Sequence, residues 1–196
     1  MPASGVVNIT GGVTAIGDSG FYQCTGLTSV TIPMSVTTIG IQAFAWCTSL
    51  TNVTIPSSIA SIGTALFANC TALTSVTIPS SISSIGVDAF YICSSLTSVT
   101  IPSSVTSIAT GAFYESGLIS VTIPSSITSI GLDAFYSCAN LTNVIEQSTT
   151  PPNLSSTSNA FSFCAASLQI HVPSGTVATY QAAAGWSQFS TQIVSP

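Results

Sequence analysis

Apolar and polar positions along the chain follow one recurrent pattern, clearest from Leu73 to Cys93. Leu73, Val76, Ile78, Ile82, Ile85, Ala89, Phe90 and Cys93 are apolar, and the residues between them are mostly Ser, Thr and Gly. Val76-Thr77-Ile78 alternates with period two, which predicts a short strand with Val76 and Ile78 inward and Thr77 outward. Pro79 lacks the N–H that a ladder needs, so the strand ends there. Ile82 and Ile85 predict an extended return segment and Gly86 a turn. Asp88 to Cys93 fits about one turn of helix, with Asp88 near its N-terminal end.

The pattern recurs along the chain. Pro33, Pro56, Pro79 and Pro102 are spaced by 23 residues, and Pro124 follows after 22 because the copy containing Ser116 and Gly117 is one residue short. Phe-x-x-Cys pairs recur in register at Phe21/Cys24, Phe44/Cys47, Phe67/Cys70, Phe90/Cys93, Phe135/Cys138 and Phe161/Cys164. Such a period predicts a solenoid, each coil burying its apolar face against its neighbours, with parallel strands about 4.8 Å apart. Strands are expected at 30–32, 53–55, 76–78, 99–101 and 121–123, with a degenerate edge at Val7-Asn8-Ile9-Thr10.

The pattern breaks after Val144. Ile145 and Glu146 stand where Thr and Ile belong, Gln147 stands where Pro was due, and a loop at 146–158 adds three residues, with Pro151-Pro152 stiffening it. Ile170-His171-Val172-Pro173 restores the strand. Ser174 is then a candidate N-cap for a short helix from Thr176 to Ala184 that ends at Gly185. Tyr180, Trp186, Phe189 and Ile193 are expected to cover the last coil. The chain thus divides into repeats over 1–173, about seven coils with the first degenerate, and a C-terminal cap over 174–196.

The motif Leu-x-x-Val-x-Ile-Pro-x-x-Ile-x-x-Ile-Gly-x-x-Ala-Phe-x-x-Cys resembles the BspA-type leucine-rich repeat family over roughly residues 7 to 173, and the tail resembles that family's C-terminal cap. The resemblance implies an α/β repeat fold: a right-handed, curved leucine-rich-repeat solenoid. One face would be a parallel β-sheet, the other would carry short helical turns, and a helical cap would close the C-terminal end. It also implies surface-exposed adhesion and binding proteins of bacteria, some protozoa and their viruses, and it brings no catalytic residues to carry over.

Composition narrows the functions. The 196 residues include no Lys and no Arg, and the net charge of −5 comes from Asp18, Asp88, Glu115, Asp133 and Glu146. Phosphate neutralisation by Lys or Arg supplies most nucleic-acid affinity, so no nucleic-acid partner is expected. A phosphate loop would lack its lysine, and anionic membranes would meet no basic patch. No apolar run is long enough for a transmembrane span, and residues 1–12 lack the basic and apolar regions of a signal peptide. The expectation is an extracellular, cell-surface or virion protein that does not insert into membranes.

Candidate chemistry is sparse. The six cysteines form a column whose side chains point the same way, so a ladder of buried thiols is expected rather than disulfides or a metal site. His171 is the sole imidazole, and Asp88 and Asp133 hold equivalent positions two coils apart as expected helix-start residues. No catalytic residues, cofactor or enzyme activity are expected. Tyr22, Tyr91, Tyr114 and Tyr136 follow the repeat phenylalanine and are expected to be half-buried with their hydroxyls in water. Asn8, Asn52, Asn69, Asn140 and Asn153 begin Asn-x-Ser/Thr triplets, which repeat copying accounts for.

The outward strand positions form two columns. One runs through Asn8, Thr31, Thr54, Thr77, Thr100, Thr122, Ile145 and His171, the other through Ser29, Asn52, Ser75, Ser98, Ser120, Asn143 and Gln169. This neutral, hydroxyl-rich face is the candidate binding surface, with Ser29, Thr31, Asn52, Thr54, Ser75, Thr77, Ser98, Thr100, Ser120, Thr122 and His171 as its binding residues. The expected function is a non-enzymatic adhesion or binding module that recognises a protein or glycan on a host or cell surface. The alternative is a structural component of a virion or extracellular assembly, contacting neighbouring subunits.

Overall fold

The structure is a computed structural model that describes residues 5–154 and 157–196. Residues 1–4 of the lead-in and 155–156 of the 146–158 loop lie outside the described residues. The strands, in chain order, are β1 (Val6–Asn8), β2 (Ala15–Ile16), β3 (Ser29–Thr31), β4 (Thr38–Ile39), β5 (Asn52–Thr54), β6 (Ser75–Thr77), β7 (Ser84–Ile85), β8 (Ser107–Ile108), β9 (Ser120–Ile123), β10 (Ser129–Ile130), β11 (Asn143–Glu146), β12 (Gln169–His171) and β13 (Ile193–Val194). All pair in parallel, and the chain winds as a solenoid of about eight turns.

The alternating segments before each proline make the front ladder. It consists of two four-stranded sheets, β1-β3-β5-β6 and β9-β11-β12-β13. Between them, the expected strand at 99–101 is reduced to one bridge, Thr100 with Thr122. The turn count exceeds the expected seven because Ile193–Val194 does more than cover the end. It pairs with Ile170–His171 as a further rung.

Ile85 and its equivalents make a second ladder on the return segment, in which β2 pairs with β4, and β8 with β7 and β10. Gly86 holds its place through close approach rather than an unusual φ. A Cβ there would lie 2.7 Å from the Ile62 carbonyl oxygen of the preceding coil.

The expected helical turns are absent, and the reason lies in the backbone. Asp88, Phe90 and Ile92 donate their N–H groups to Thr110, Ala112 and Tyr114 of the next coil at 3.0, 2.8 and 2.8 Å. Ala89, Tyr91 and Cys93 donate instead to Gly86, Asp88 and Phe90, three residues back. An α-helix would send every N–H four residues back. Alternate donation requires the chain to reverse repeatedly, and Asp88 and Ile92 do so with φ of 55° each. Positive φ at the third position of a four-residue turn is the type II arrangement. Asp88 and Asp133 (φ 56°) are therefore turn residues and not helix starts. The same geometry recurs in the other coils, at Gln42 and Trp46 or Ala65 and Asn69.

Inside the coil, Phe21, Phe44, Phe67, Phe90, Phe113, Phe135 and Phe161 stack in one continuous column. Successive centroids lie between 5.1 Å (Phe21–Phe44) and 5.6 Å (Phe67–Phe90), with interplanar angles of 4° and 14° in those two pairs. Trp186 and Phe189 meet the last ring, Phe161, at 5.9 and 5.5 Å. Tyr180, Trp186, Phe189 and Ile193 are all buried.

The terminal segment is less helical than expected. One helix, α1, runs only from Val177 to Ala182, and a 3-10 turn follows at Ser187–Phe189. Thr176, not Ser174, is the N-cap residue, and its hydroxyl bonds the Pro173 carbonyl at 2.7 Å instead of capping the helix. No helix among the described residues is long and apolar enough to cross a membrane.

Candidate functional site

Ser and Thr serve two different purposes in this solenoid, and the difference defines the site. On the flank just after each proline, Ser35, Ser58, Ser81, Ser104 and Ser126 donate their hydroxyls to carbonyls of the preceding coil, at 2.8, 2.5, 2.7, 2.6 and 2.7 Å. Thr51 and Thr74, just before their strands, donate likewise to Thr28 and Thr51. These hydroxyls are consumed in holding coil to coil.

The outward strand residues differ. Thr31, Thr54, Ser75, Thr77, Ser98, Thr100, Ser120 and Thr122 are exposed, and no side-chain hydrogen bond within the described residues engages them. Parallel pairing puts them in register: Ser29 with Asn52, Asn52 with Ser75, Thr54 with Thr77, and Thr100 with Thr122. Rung spacing of about 4.8 Å makes each column a regular row of hydroxyls. Because 98–101 lacks ladder pairing to β6, Ser98 and Thr100 sit between the two sheets rather than within one. Ser29 is half-buried, at the edge of this row. His171 is half-buried too, beside Ile145 on the next strand.

Three apolar side chains interrupt the face, the first being Val6, which is 54% exposed and in register with Ser29. Ile119 is 51% exposed, and Ile145, in the threonine column, is 39% exposed. Ile119 occupies the place that Thr28, Thr51, Thr74 and Thr142 hold in other coils. Column alignment shows it as an exception, yet the strand reading passed over it because it precedes the alternating segment. No carboxylate lies in either outward column, so the face is electrically neutral apart from His171.

On the turn side, Tyr91, Tyr114 and Tyr136 are half-buried and stack at 4.8 and 5.1 Å, each ring on the next. Tyr22 departs from the expected half-burial and is exposed.

The cysteines line the interior without forming disulfides among the described residues, buried except for the half-buried Cys164. Cys47, Cys70 and Cys93 donate their S–H groups to the carbonyls of Phe21, Phe44 and Phe67, one coil back, at 3.1, 3.1 and 3.2 Å. Burial pushes Cys47 up to about 12, with the neighbouring Cys24 adding to the shift, and pushes Cys138 up to about 11. Thiols so placed stay protonated at neutral pH and pack as small apolar groups. Where coil five carries Ser116 in place of cysteine, its hydroxyl meets the Cys138 sulfur at 3.2 Å, so the column stays filled. Among the described residues no three His, Cys, Asp or Glu side chains converge as metal ligands.

A family model described as the BspA type leucine rich repeat region, present in six copies, matches residues 14–142 and 62–185. A leucine rich cell surface protein from Faecalibacterium prausnitzii A2-165 has a solved structure with TM-score 0.70 and 27% identity, covering 88% of this chain and 64% of its own. A T. pallidum leucine rich repeat protein gives TM-score 0.59 at 26% identity, over 87% of this chain and 70% of its own. A leucine-rich repeat protein from Bacteroides ovatus gives 0.54 at 28%, over 86% and 39%. The chain thus spans under two thirds of the Faecalibacterium protein's length. No curated protein sequence matches it.

Proposed function

This chain belongs to the BspA-type leucine-rich repeat family, and we propose that it is a non-enzymatic binding module displayed at a cell surface, where it recognises a protein or glycan through its front strand face. The observation that carries this reading is the division of labour among hydroxyls. Flank serines are bonded coil to coil, whereas the strand-face Ser and Thr are exposed with their hydrogen-bonding capacity unspent. A regular, uncharged array of donors, acceptors and methyl groups suits a neutral polar ligand such as a glycan or an uncharged protein surface. The Faecalibacterium relative's description as a cell surface protein supports the location. Ile119, Ile145 and His171 mark the C-terminal part of the face, where an apolar contact would add to the hydrogen bonds.

The test is a screen of the purified chain against glycan arrays and host-surface extracts, repeated with Thr54, Thr77 and Thr100 all changed to Ala. Binding is expected, with at least about tenfold loss in the triple variant. Because no Asp, Glu, Lys or Arg lies in the outward columns, affinity is also expected to stay level between low and high salt. A blank screen, or a triple variant that binds as well as the parent, would overturn the proposal. No structural feature favours the virion role.

A further inference from the structure

Glu146 ends β11 in register with Ile123 of β9. Its side chain therefore enters the inward column that Ile32, Ile55, Ile78 and Ile101 fill in earlier coils. It is 3% exposed, and neither carboxyl oxygen has a hydrogen-bond partner among the described residues. No Lys or Arg exists in the chain to neutralise it. His171 pairs beside Ile145 in the outward column and so faces away from it. Around the carboxyl, β9 presents Ile123, and the following coil presents Val172, both fully buried. The terminal segment presents one titratable group, Tyr180. Desolvation is the main cause holding that phenol protonated, and the nearby Glu146 charge adds to it. The loop 147–152 carries no ionisable side chain.

The chain leaves the ladder immediately after this residue. The Gln147 N–H still donates to the Ile123 carbonyl at 3.0 Å, and the loop then departs. Two aromatic side chains of the terminal segment hold it. The Tyr180 hydroxyl donates to the Ser148 carbonyl at 2.8 Å, and the Trp186 indole N–H donates to the Pro152 carbonyl at 2.7 Å. The carboxyl thus sits beside a clasp between the loop and the terminal segment.

We propose that Glu146 makes this clasp a proton-controlled latch: neutral, it packs in an isoleucine slot and keeps loop and terminal segment closed; ionised, it opens them while the earlier coils stay folded. A buried carboxylate without a partner is far costlier than the neutral acid. To reach water it must displace the chain beside it, and Ser148, two residues on, is the residue that Tyr180 holds. The clasp also lies at the end of the stack, where a solenoid opens without disturbing distant coils. Burial lifts the Glu146 carboxyl from 4.5 to about 8. Closure is accordingly full below about 4.5, weakens as pH rises across that interval, and is lost above about 8.

The test is amide and indole hydrogen exchange on the intact chain from pH 5 to pH 9, corrected for intrinsic exchange. Between pH 6 and pH 8, opening of residues 169–194 and of the Trp186 indole is expected to rise at least about tenfold. Protection around Phe44 to Phe113 should stay constant. Glu146→Gln and Glu146→Ile should both flatten the dependence. If the Gln variant does not fold, the Ile variant, which restores the repeat, decides the matter. A flat profile in the parent, the same rise in the Ile variant, or a rise spread evenly over all coils would overturn the latch.

Discussion

The coil around Phe90 and the coil around Phe161 share one plan but face different neighbours. Phe90 lies between two parallel rings, Phe67 at 5.6 Å and Phe113 at 5.2 Å. Phe161 has Phe135 on one side at 5.3 Å, and on the other a tilted Trp186 and an edge-on Phe189. In the middle of the solenoid every inward slot is filled by a hydrocarbon or a thiol, Ser116 excepted, because each coil must fit two near-identical neighbours. Near the end only one neighbour is a repeat, and an inward carboxyl, a loop and a lid of large aromatics appear together. The repeat constrains sequence by stacking, and the constraint relaxes where stacking stops.

Truncating the two rings tests that contrast most severely. Phe90→Ala is expected to cost about 3–5 kcal/mol of global stability, measured by denaturant unfolding, since it leaves a cavity between rigid rungs. Phe161→Ala removes a similar ring, but its loss should appear first as exchange of residues 169–194, with central coils still protected. Equal, global loss in both variants would erase the distinction between middle and end.

An effect of opposite sign is expected from repairing the exception. Glu146→Ile should stabilise the chain by about 4 kcal/mol at pH 8. The sign follows from the raised carboxyl: the folded state holds its proton up to about 8, whereas the ordinary carboxyl gives it up near 4.5. Parent stability therefore falls as pH rises between those values, and the variant's should not. The gain should shrink toward pH 4.5, leaving only the difference in packing. Paired denaturant titrations at the two pH values check this.

The smallest effect separates the two kinds of hydroxyl. Ser81→Ala removes a 2.7 Å bond to the Ile59 carbonyl and should cost about 1 kcal/mol. Thr77→Ala, on the exposed face, should change stability by less than about 0.5 kcal/mol. Comparable losses would show that the strand-face hydroxyls are also structural and would weaken the case for the front face as a site.

Much of this architecture was legible in the residues. Period-two alternation before each proline and the 23-residue spacing gave the ladder, the register and the inward residues, because only apolar side chains fit between stacked coils. The turns were not legible. Left-handed backbone ordinarily announces itself through Gly or Asn, yet here it falls on Gln42, Trp46, Ala65, Asp88, Ile92 and Phe163 among others. Bonds to the coil on either side hold these residues in a conformation that their own side chains disfavour. Local preference therefore pointed to a helix, and tertiary stacking overrode it.

The candidate face was visible as outward letters, but the contrast that gives it meaning was not. Ser81 and Thr77 look alike in the sequence, and whether a hydroxyl reaches a carbonyl depends on the coil beside it. Glu146 could be seen to stand in an isoleucine slot; its burial without a partner needed the loop and terminal segment in place.

The side-chain bonds between coils carry a consequence of their own. Among the described residues, serine, threonine and cysteine side chains repeatedly donate from a later coil to a carbonyl of the one before, as Ser58 does to Val36, Cys70 to Phe44 and Thr74 to Thr51; Ser57, which meets the Met34 sulfur, and the Ser116–Cys138 pair depart from this. The solenoid thus has a grain. A chain emerging N-terminus first can complete each coil's side-chain bonds the moment that coil docks, against carbonyls already in place. Assembly in the order of synthesis runs with the grain, and growth from the other end would run against it.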